Sequence, residues 1–252
     1  MGDVDVGRRD GGGRPFLRAE WRSLLMLNYE VPATLMAPYV PSGTLLDEYD
    51  GRIYISLVAF LFLDTRVLGI PIPFHIDFEE INLRFYVKRI VGDEVRRGVV
   101  FIKEIVPKRA IAWVARTFYN ENYVAMPTWS DILPPSDDVP VGRFEYRWGR
   151  AKEFGVRGEV VGSPALPEAG SHAEFITEHY WGYAKQRDGS TMEYRVEHPQ
   201  WQVWECRESC FSGDGTQLYG TELGGILASA PTTALLAVGS PITVGMGKRF
   251  RA

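Results

Sequence analysis

One stretch constrains the fold more strongly than any other, the segment INLRFYVKRIVGDEVRRGVVFIKEIV at 81–106. Apolar and polar side chains alternate along both of its halves, and this alternation is typical of strands with two unlike faces. Gly92 and Asp93 lie between the halves and suit a two-residue turn, so the segment predicts a β-hairpin in which Val91 pairs with Glu94. The resulting register pairs three further positions across the hairpin: Lys88 with Arg97, Arg84 with Phe101, and Asn82 with Lys103.

The two faces of this predicted hairpin differ in chemistry. The apolar face belongs to the core and consists of Ile81, Leu83, Phe85, Val87, Val100 and Ile102. The mixed face combines amide, cationic and aromatic groups and consists of Asn82, Arg84, Tyr86, Val99, Phe101 and Lys103. A mixed face is either exposed to water or lines a polar cavity. Charged side chains are mostly exposed in proteins, so the residues alone favour the exposed face.

The rest of the chain favours more strands and only short helices. Aromatic residues make up 13% of the sequence beside 26 glycines and 16 prolines, which is typical of strands joined by turns. Asp50-Gly51 and Asp188-Gly189 are further hairpin signals. Short helices are predicted at 32–41, 107–119, 169–180 (with Ser171 as N-cap) and 215–226. The predicted class is α+β, mainly β, with a curled or barrel-like antiparallel sheet.

The N-terminus, the charge and the cysteines bear on where the chain acts. Residues 1–15 lack the apolar segment of a secretory signal, and we expect a flexible leader followed by a single domain at 16–252. No run approaches the roughly 20 apolar residues that span a bilayer. The net charge of −4 disfavours nucleic acid and anionic membranes as partners. Two cysteines, Cys206 and Cys210, without an export signal favour a reduced, cytoplasmic protein.

Glu80 and His198 are the candidate proton-transfer groups. By alternation Glu80 shares the mixed face with Arg84, where it either forms an ordinary ion pair or acts as a general acid or base. Its neighbour Glu79 points to the opposite face unless a β-bulge exchanges the two. His198 precedes a proline in the segment EHPQW, where it either packs or lines a pocket.

Motifs for metals, phosphates and covalent catalysis are absent from the sequence. His172 and His179 are seven positions apart, which separates them by roughly 10 Å along a predicted helix and disfavours a shared metal. The segment GMGKRF at 245–250 lacks the first glycine and the Ser or Thr of a Walker motif. No Ser or Cys stands in a recognisable arrangement with His. We therefore expect no metal and no cofactor.

Several long stretches carry a resemblance to a known family. They include LMLNYEVPATLMAPYVPSGTLLDEYDGRIYISLVAF, FLDTRVLGIPIPFHIDFEEINLRFYVKR and FIKEIVPKRAIAWVARTFYNENYVAMP, followed by EFITEHYWGY, VEHPQW and GSPITV. Together they resemble the YqjF-like family of uncharacterised proteins over nearly the whole chain from about residue 16. That family is distantly similar to acetoacetate decarboxylase. The resemblance implies a cone-shaped antiparallel β-barrel with a central pocket, flanked by short helices.

The resemblance also implies which residues line such a pocket. The mixed face with Asn82, Arg84 and Lys103 would then face inward. The reactive lysine of the decarboxylase falls near Asn122 and its neighbouring lysine near Tyr123, and neither position is Lys here. An amide or a phenol cannot form an imine with a keto acid. The pocket glutamate of the decarboxylase falls near Glu79 or Glu80, and its pocket arginine near Arg22.

Three functions stay open from the sequence. The first is a binding module for a small anionic or carbonyl compound; its ligand-binding residues would be Arg22, Glu79, Asn82, Arg84, Lys103, Asn122 and Tyr123. The second is an enzyme that uses non-covalent acid/base chemistry, of lyase or hydrolase type, through Glu80 or His198, with Lys103 as a relocated nucleophile in one variant. The third is a structural or interaction protein with a packed barrel. A Schiff-base decarboxylase is not expected, and the sequence does not fix an oligomeric state.

Overall fold

The computed structural model describes residues 15–71, 76–107 and 122–251, and most of them lie in strands. The strands are β1 (Leu17–Val31), β2 (Leu45–Leu46), β3 (Ile53–Val67), β4 (Ile70–Pro71), β5 (Phe78–Val91), β6 (Glu94–Val106), β7 (Tyr123–Ala125), β8 (Thr128–Leu133), β9 (Val141–Trp148), β10 (Phe154–Val161), β11 (Trp181–Lys185), β12 (Thr191–Glu197), β13 (Val203–Glu205), β14 (Arg207–Ser212), β15 (Thr233–Val244) and β16 (Lys248–Phe250). The helices are α1 (Ala33–Met36), α2 (His172–Thr177) and α3 (Gly215–Leu227), with a 3₁₀ turn at Ala37–Tyr39. The predicted mainly β class is confirmed.

The strands form one large and one small sheet. The large sheet runs in the order β13-β15-β1-β3-β5-β6-β11-β12-β16, and β2, β4 and β7 pair beside this path. Its pairs are antiparallel, except that β6 pairs in parallel with β7 and with β11. The pairing also returns on itself, because β12 pairs with β15 through Val196 and Val244. The small sheet has the order β14-β10-β9-β8.

Each face of the large sheet has its own apolar cluster. The face that we call outer packs against the small sheet and α3, and its cluster includes Leu25, Leu57, Leu83, Phe144 and Leu218. The opposite face, which we call inner, carries a second cluster that includes Met26, Val58, Tyr86, Phe175 and Tyr194. Because both faces of β3 are covered, its sequence is a nearly continuous apolar run instead of an alternating one.

The predicted hairpin of β5 and β6 is confirmed near its turn and wrong beyond it. The confirmed pairs are Val91 with Glu94, Lys88 with Arg97 and Arg84 with Phe101. Beyond Arg84 a β-bulge shifts the register, so that Leu83 faces Lys103 and Asn82 faces Glu104. The prediction that Asn82 faces Lys103 is therefore wrong, because the bulge adds one residue to β6 and moves Lys103 to the outer face.

The predicted helices have mixed outcomes. Ser171 caps α2 as predicted, since its Oγ accepts a hydrogen bond from the backbone N–H of Glu174 at 3.2 Å. However, α2 ends at Thr177, so His172 and His179 do not lie on one helix as predicted. The helix predicted at 107–119 lies outside the described residues apart from its first position. None of the helices in the described part of the chain is long and apolar enough to cross a membrane.

Candidate functional site

A line of polar side chains occupies the inner face of β5. Glu80, Asn82 and Arg84 alternate along this strand and are only 4%, 3% and 8% exposed. The amide Nδ2 of Asn82 donates a hydrogen bond to Glu80 Oε1 at 3.3 Å. The expectation that Glu80 shares the face of Asn82 is therefore confirmed. The preference for an exposed mixed face is wrong, because this face is the inner one and other elements cover it.

The polar line on β5 extends across the sheet onto β6 and β7. Glu104 pairs with Asn82, and Tyr123 pairs with Glu104. Glu104 is 1% exposed, and Tyr123 belongs to the inner apolar cluster. Tyr123 thus lies at the inner face, and its role in ligand binding stays a prediction. Glu104 was missed by the sequence analysis, because only the position of the bulge brings it inward.

Arg84 has hydrogen-bonding capacity that the described residues leave unused. Its Nη2 donates to the carbonyl oxygen of Ile176 in α2 at 3.3 Å and lies 3.8 Å from Met26 Sδ. Its guanidinium carbon lies 5.6 Å from the centre of the Tyr86 ring. Among the described residues, neither Arg84 Nε nor Asn82 Oδ1 has a hydrogen-bond partner, although both atoms are buried. An unsatisfied buried polar group costs about 1–3 kcal/mol, so a bound molecule could lower the free energy here.

A second buried polar group lies against Tyr86. The ring of His179 has its centre 4.7 Å from that of Tyr86, and its Nε2 lies 3.3 Å from Asp47 Oδ2. Arg97 Nε also donates to Asp47 Oδ2, at 2.6 Å, and Lys88 Nζ lies 3.3 Å from the other carboxylate oxygen. Nothing in the sequence pattern indicated this cluster, because Asp47 and His179 come from distant loops.

Asp47 and His179 carry defined charges at neutral pH. Burial alone would raise the pKa of Asp47, but hydrogen bonds from His179 and Arg97 hold it well below its usual range. Burial lowers the pKa of His179 to about 4, and the positive charge of Arg97 acts in the same direction. The carboxylate is therefore ionised and the imidazole neutral. Since the ionised carboxylate of Asp47 can only accept a hydrogen bond, the His179 Nε2 that faces it carries the proton, and Nδ1 keeps its lone pair.

His198 lies between two aromatic rings at the end of β12. Its ring centre lies 4.7 Å from that of Tyr180 and 4.1 Å from that of Trp201, in stacked geometry. Its Nδ1 is 2.9 Å from the carbonyl oxygen of Pro199. Burial lowers the pKa of His198. The residue also lines a groove of about 930 Å³ beside the start of β1, together with the charged residues Arg18, Glu20, Asp64, Arg66 and Glu197.

Arg22 and Glu79, two predicted ligand residues, have partners away from the inner polar line. Arg22 donates to Glu20 Oε2 at 3.0 Å and to the carbonyl oxygen of Gly239 at 3.2 Å. Glu79 accepts hydrogen bonds from Thr128 at 2.8 Å and Ser130 at 2.9 Å, both on β8 of the small sheet. Strand alternation explains Glu79, because it precedes the inward Glu80.

Lys103 and Asn122 also differ from the prediction. Lys103 Nζ donates to the carbonyl oxygen of Leu218 in α3 and lies 5.4 Å from the centre of the Tyr219 ring, on the outer face. Burial lowers the pKa of this amine, as a nucleophile requires, but the bulge turns it away from Asn82. Asn122 is exposed, and its Nδ2 donates to the carbonyl oxygen of Ile102 at 3.1 Å.

Solved structures define the class of this fold. An acetoacetate decarboxylase-like enzyme from Sphingomonas wittichii RW1 superposes over 100% of both chains with a TM-score of 0.63 at 13% identity. The acetoacetate decarboxylase from Legionella pneumophila subsp. pneumophila str. Philadelphia 1 covers 98% of this chain and 92% of its own, with a TM-score of 0.63 at 11% identity. The enduracididine biosynthesis enzyme MppR complexed with pyruvate covers 93% and 90%, with a TM-score of 0.66 at 14% identity. The chain thus has an acetoacetate-decarboxylase-like fold.

The family follows from the sequence itself. The DUF2071 family, described as an uncharacterized conserved protein, matches residues 18–241. This chain belongs to the DUF2071 family. The uncharacterized protein YqjF of Bacillus subtilis (strain 168) is 25% identical over 185 residues, which are 73% of each chain. The resemblance to YqjF-like proteins is confirmed.

Proposed function

We propose that this protein binds a small carboxylate or related carbonyl compound at the inner polar line, with Arg84 as its anion-binding group and without a Schiff base. The observation that carries the proposal is the buried guanidinium of Arg84, whose Nε has no partner among the described residues. Arg84 also forms no ion pair with any described residue. A buried charge is costly unless an opposite charge and hydrogen bonds compensate it, and a carboxylate supplies both.

The pairing of the large sheet supports an enclosed site. Because β12 returns to β15, the strands β15, β1, β3, β5, β6, β11 and β12 follow one another in a closed series. We propose that this series forms the cone-shaped barrel and that its inner face encloses the pocket. The carbonyl of Ile176 contacts Arg84 and so brings α2 to one side of the site. The neighbour MppR is complexed with pyruvate, and this supports a ligand of similar size and chemistry here.

The absence of a Schiff base rests on where the amines lie. Asn122 and Tyr123 stand where the resemblance expects reactive lysines, and neither carries an amine. The nearest candidate on β6 is Lys103, whose amine is hydrogen-bonded to α3 on the outer face. Recognition by charge and hydrogen bonds is therefore the proposed mode of binding.

A thermal-shift series with short carboxylates tests this proposal. Pyruvate or acetoacetate at 100 times the dissociation constant should stabilise the protein by about 2.7 kcal/mol, which is roughly 5–10 °C in a domain of this size. In Arg84→Met the shift should vanish, since the charged donor is lost. Arg22→Gln is the matched control and should keep the full shift, because Arg22 has partners elsewhere.

Two thermal-shift results would contradict the proposed function. An undiminished shift in Arg84→Met would show that the ligand binds elsewhere, and a flat response to every carboxylate would favour a packed barrel with a structural role. The Schiff base has its own readout in the same samples. Borohydride added with the keto acid should leave the protein mass unchanged, and a covalent mass increase would contradict recognition without an imine.

The burial of Glu80 favours a second function, acid/base catalysis on the bound compound. Glu80 is 4% exposed and lies in line with Arg84, so it could exchange a proton with a substrate that Arg84 holds. If a hit from the series is turned over, Glu80→Gln should lower kcat by roughly 10²-fold or more. Glu79→Gln is the matched control on the outer face and should leave kcat unchanged. Equal loss in both variants would count against Glu80 as the proton-transfer group.

A further inference from the structure

Three buried polar atoms restrict the chemistry of the ligand further than the requirement for a negative charge does. Besides Arg84 Nε and Asn82 Oδ1, the Nδ1 atom of His179 is buried and has no hydrogen-bond partner among the described residues. His179 and Arg84 both contact the ring of Tyr86, while Asn82 lies two positions before Arg84 on the same face of β5. The three atoms therefore belong to one region of the inner face.

The hydrogen-bonding character of each atom follows from its neighbours. Arg84 Nε can only donate. The NH₂ group of Asn82 donates its hydrogen bond to the side chain of Glu80, which leaves the amide oxygen of Asn82 as an acceptor. His179 holds its proton on Nε2, towards the carboxylate of Asp47, which leaves Nδ1 as an acceptor. The unused capacity is thus one charged donor and two acceptors.

We infer that the site selects a hydroxy acid over the corresponding keto acid, with the carboxylate on Arg84 and hydroxyl protons donated to Asn82 or His179. This inference rests on the proposed function. A keto oxygen can only accept, so facing Asn82 Oδ1 or His179 Nδ1 it would leave both acceptors unsatisfied and add repulsion between lone pairs. A hydroxyl group donates its proton and satisfies at least one of them.

Asp47 acts as a positioning residue, because its carboxylate fixes the tautomer of His179.

Calorimetric titration of matched pairs tests this inference on the full chain. The probes are lactate against pyruvate and 3-hydroxybutyrate against acetoacetate. The hydroxy acid of each pair should bind at least tenfold more tightly than its keto partner. His179→Phe keeps an aromatic ring against Tyr86 and removes Nδ1, so the ratio should fall towards one.

A second variant keeps the test independent of folding defects at His179. Asn82→Leu removes the other acceptor with a side chain of similar size, and it should also reduce the ratio, whereas Arg22→Gln should not. Keto acids that bind as tightly as hydroxy acids, in a manner that depends on Arg84, would overturn this inference and leave the proposed function intact. Binding of neither class would overturn both.

Discussion

Replacing Gly239 by alanine is expected to destabilise the fold by about 4 kcal/mol. Gly239 lies in β15 opposite Arg22 of β1, and its φ is +83°, a conformation that residues with a Cβ rarely adopt. A Cβ at this position would lie 2.0 Å from the carbonyl oxygen of Trp21. That oxygen belongs to the backbone of a paired strand, so the clash cannot be relieved by rotating a side chain. Strand β1 or β15 must shift.

The melting temperature measures this effect. A loss of this size corresponds to a fall of roughly 8–15 °C for a chain of this length. Gly225→Ala in α3 is the matched control, because a Cβ there meets no atom within 4 Å and no positive φ is required. Alanine within a helix should raise the stability by up to about 1 kcal/mol. A melting temperature of Gly239→Ala equal to that of the wild type would show that the two strands can separate without cost.

Acidification from pH 6.5 to 4 is expected to remove about 3 kcal/mol of stability through His179 alone. Its pKa is about 4 in the folded protein, against an ordinary value of 6.5 that applies to the unfolded chain. Between these values the unfolded state binds more protons than the folded state, so the free energy of unfolding falls as the pH falls. Above 6.5 both states are neutral at this site and the contribution is constant. The charged groups that act on the ring are Asp47, Arg97 and Arg84, of which only Asp47 favours its protonation.

Urea denaturation across this pH range measures the effect. The fall in unfolding free energy should be smaller in His179→Phe than in the wild type by about 3 kcal/mol. His198→Phe is the comparison, since His198 is more accessible and should leave most of the fall in place. Asp47 adds to the loss only at lower pH, because its folded pKa lies below its usual range. Parallel curves for the wild type and His179→Phe would contradict a neutral buried imidazole.

The sequence predicted those parts of the site that depend on local alternation. The turn at Gly92 fixed the register as far as Arg84, and parity alone placed Glu80, Asn82 and Arg84 on one face. The charge of Arg84 led to a wrong prediction of exposure, because the general preference of charged residues for water does not cover the rare buried guanidinium. Parity says which side chains share a face, whereas burial depends on what covers that face.

The remaining parts depend on contacts between distant segments. Asp47 and His179 are separated by 132 positions, and no local pattern links them. Arg22 was predicted to line the pocket by similarity to a distant family, but its guanidinium donates hydrogen bonds to Glu20 and to the carbonyl oxygen of Gly239. Lys103 was predicted on the face of Asn82, but a single added residue in β6 turns it to the outer face. Each error arises where long-range packing or a backbone irregularity decides the outcome.

The bulge in β6 has a consequence for comparing relatives of this protein. It reverses the inward and outward positions for Lys103 and Glu104, and because β7 pairs with β6 from Glu104 onward, it also sets the phase of Tyr123. A relative could keep every side chain of β6 and still present a different set at the inner face if its extra residue lay elsewhere. A sequence alignment would then assign the same role to side chains that lie on opposite faces of the sheet. A one-residue insertion in β6 can therefore change which side chains reach the inner face as much as a substitution does.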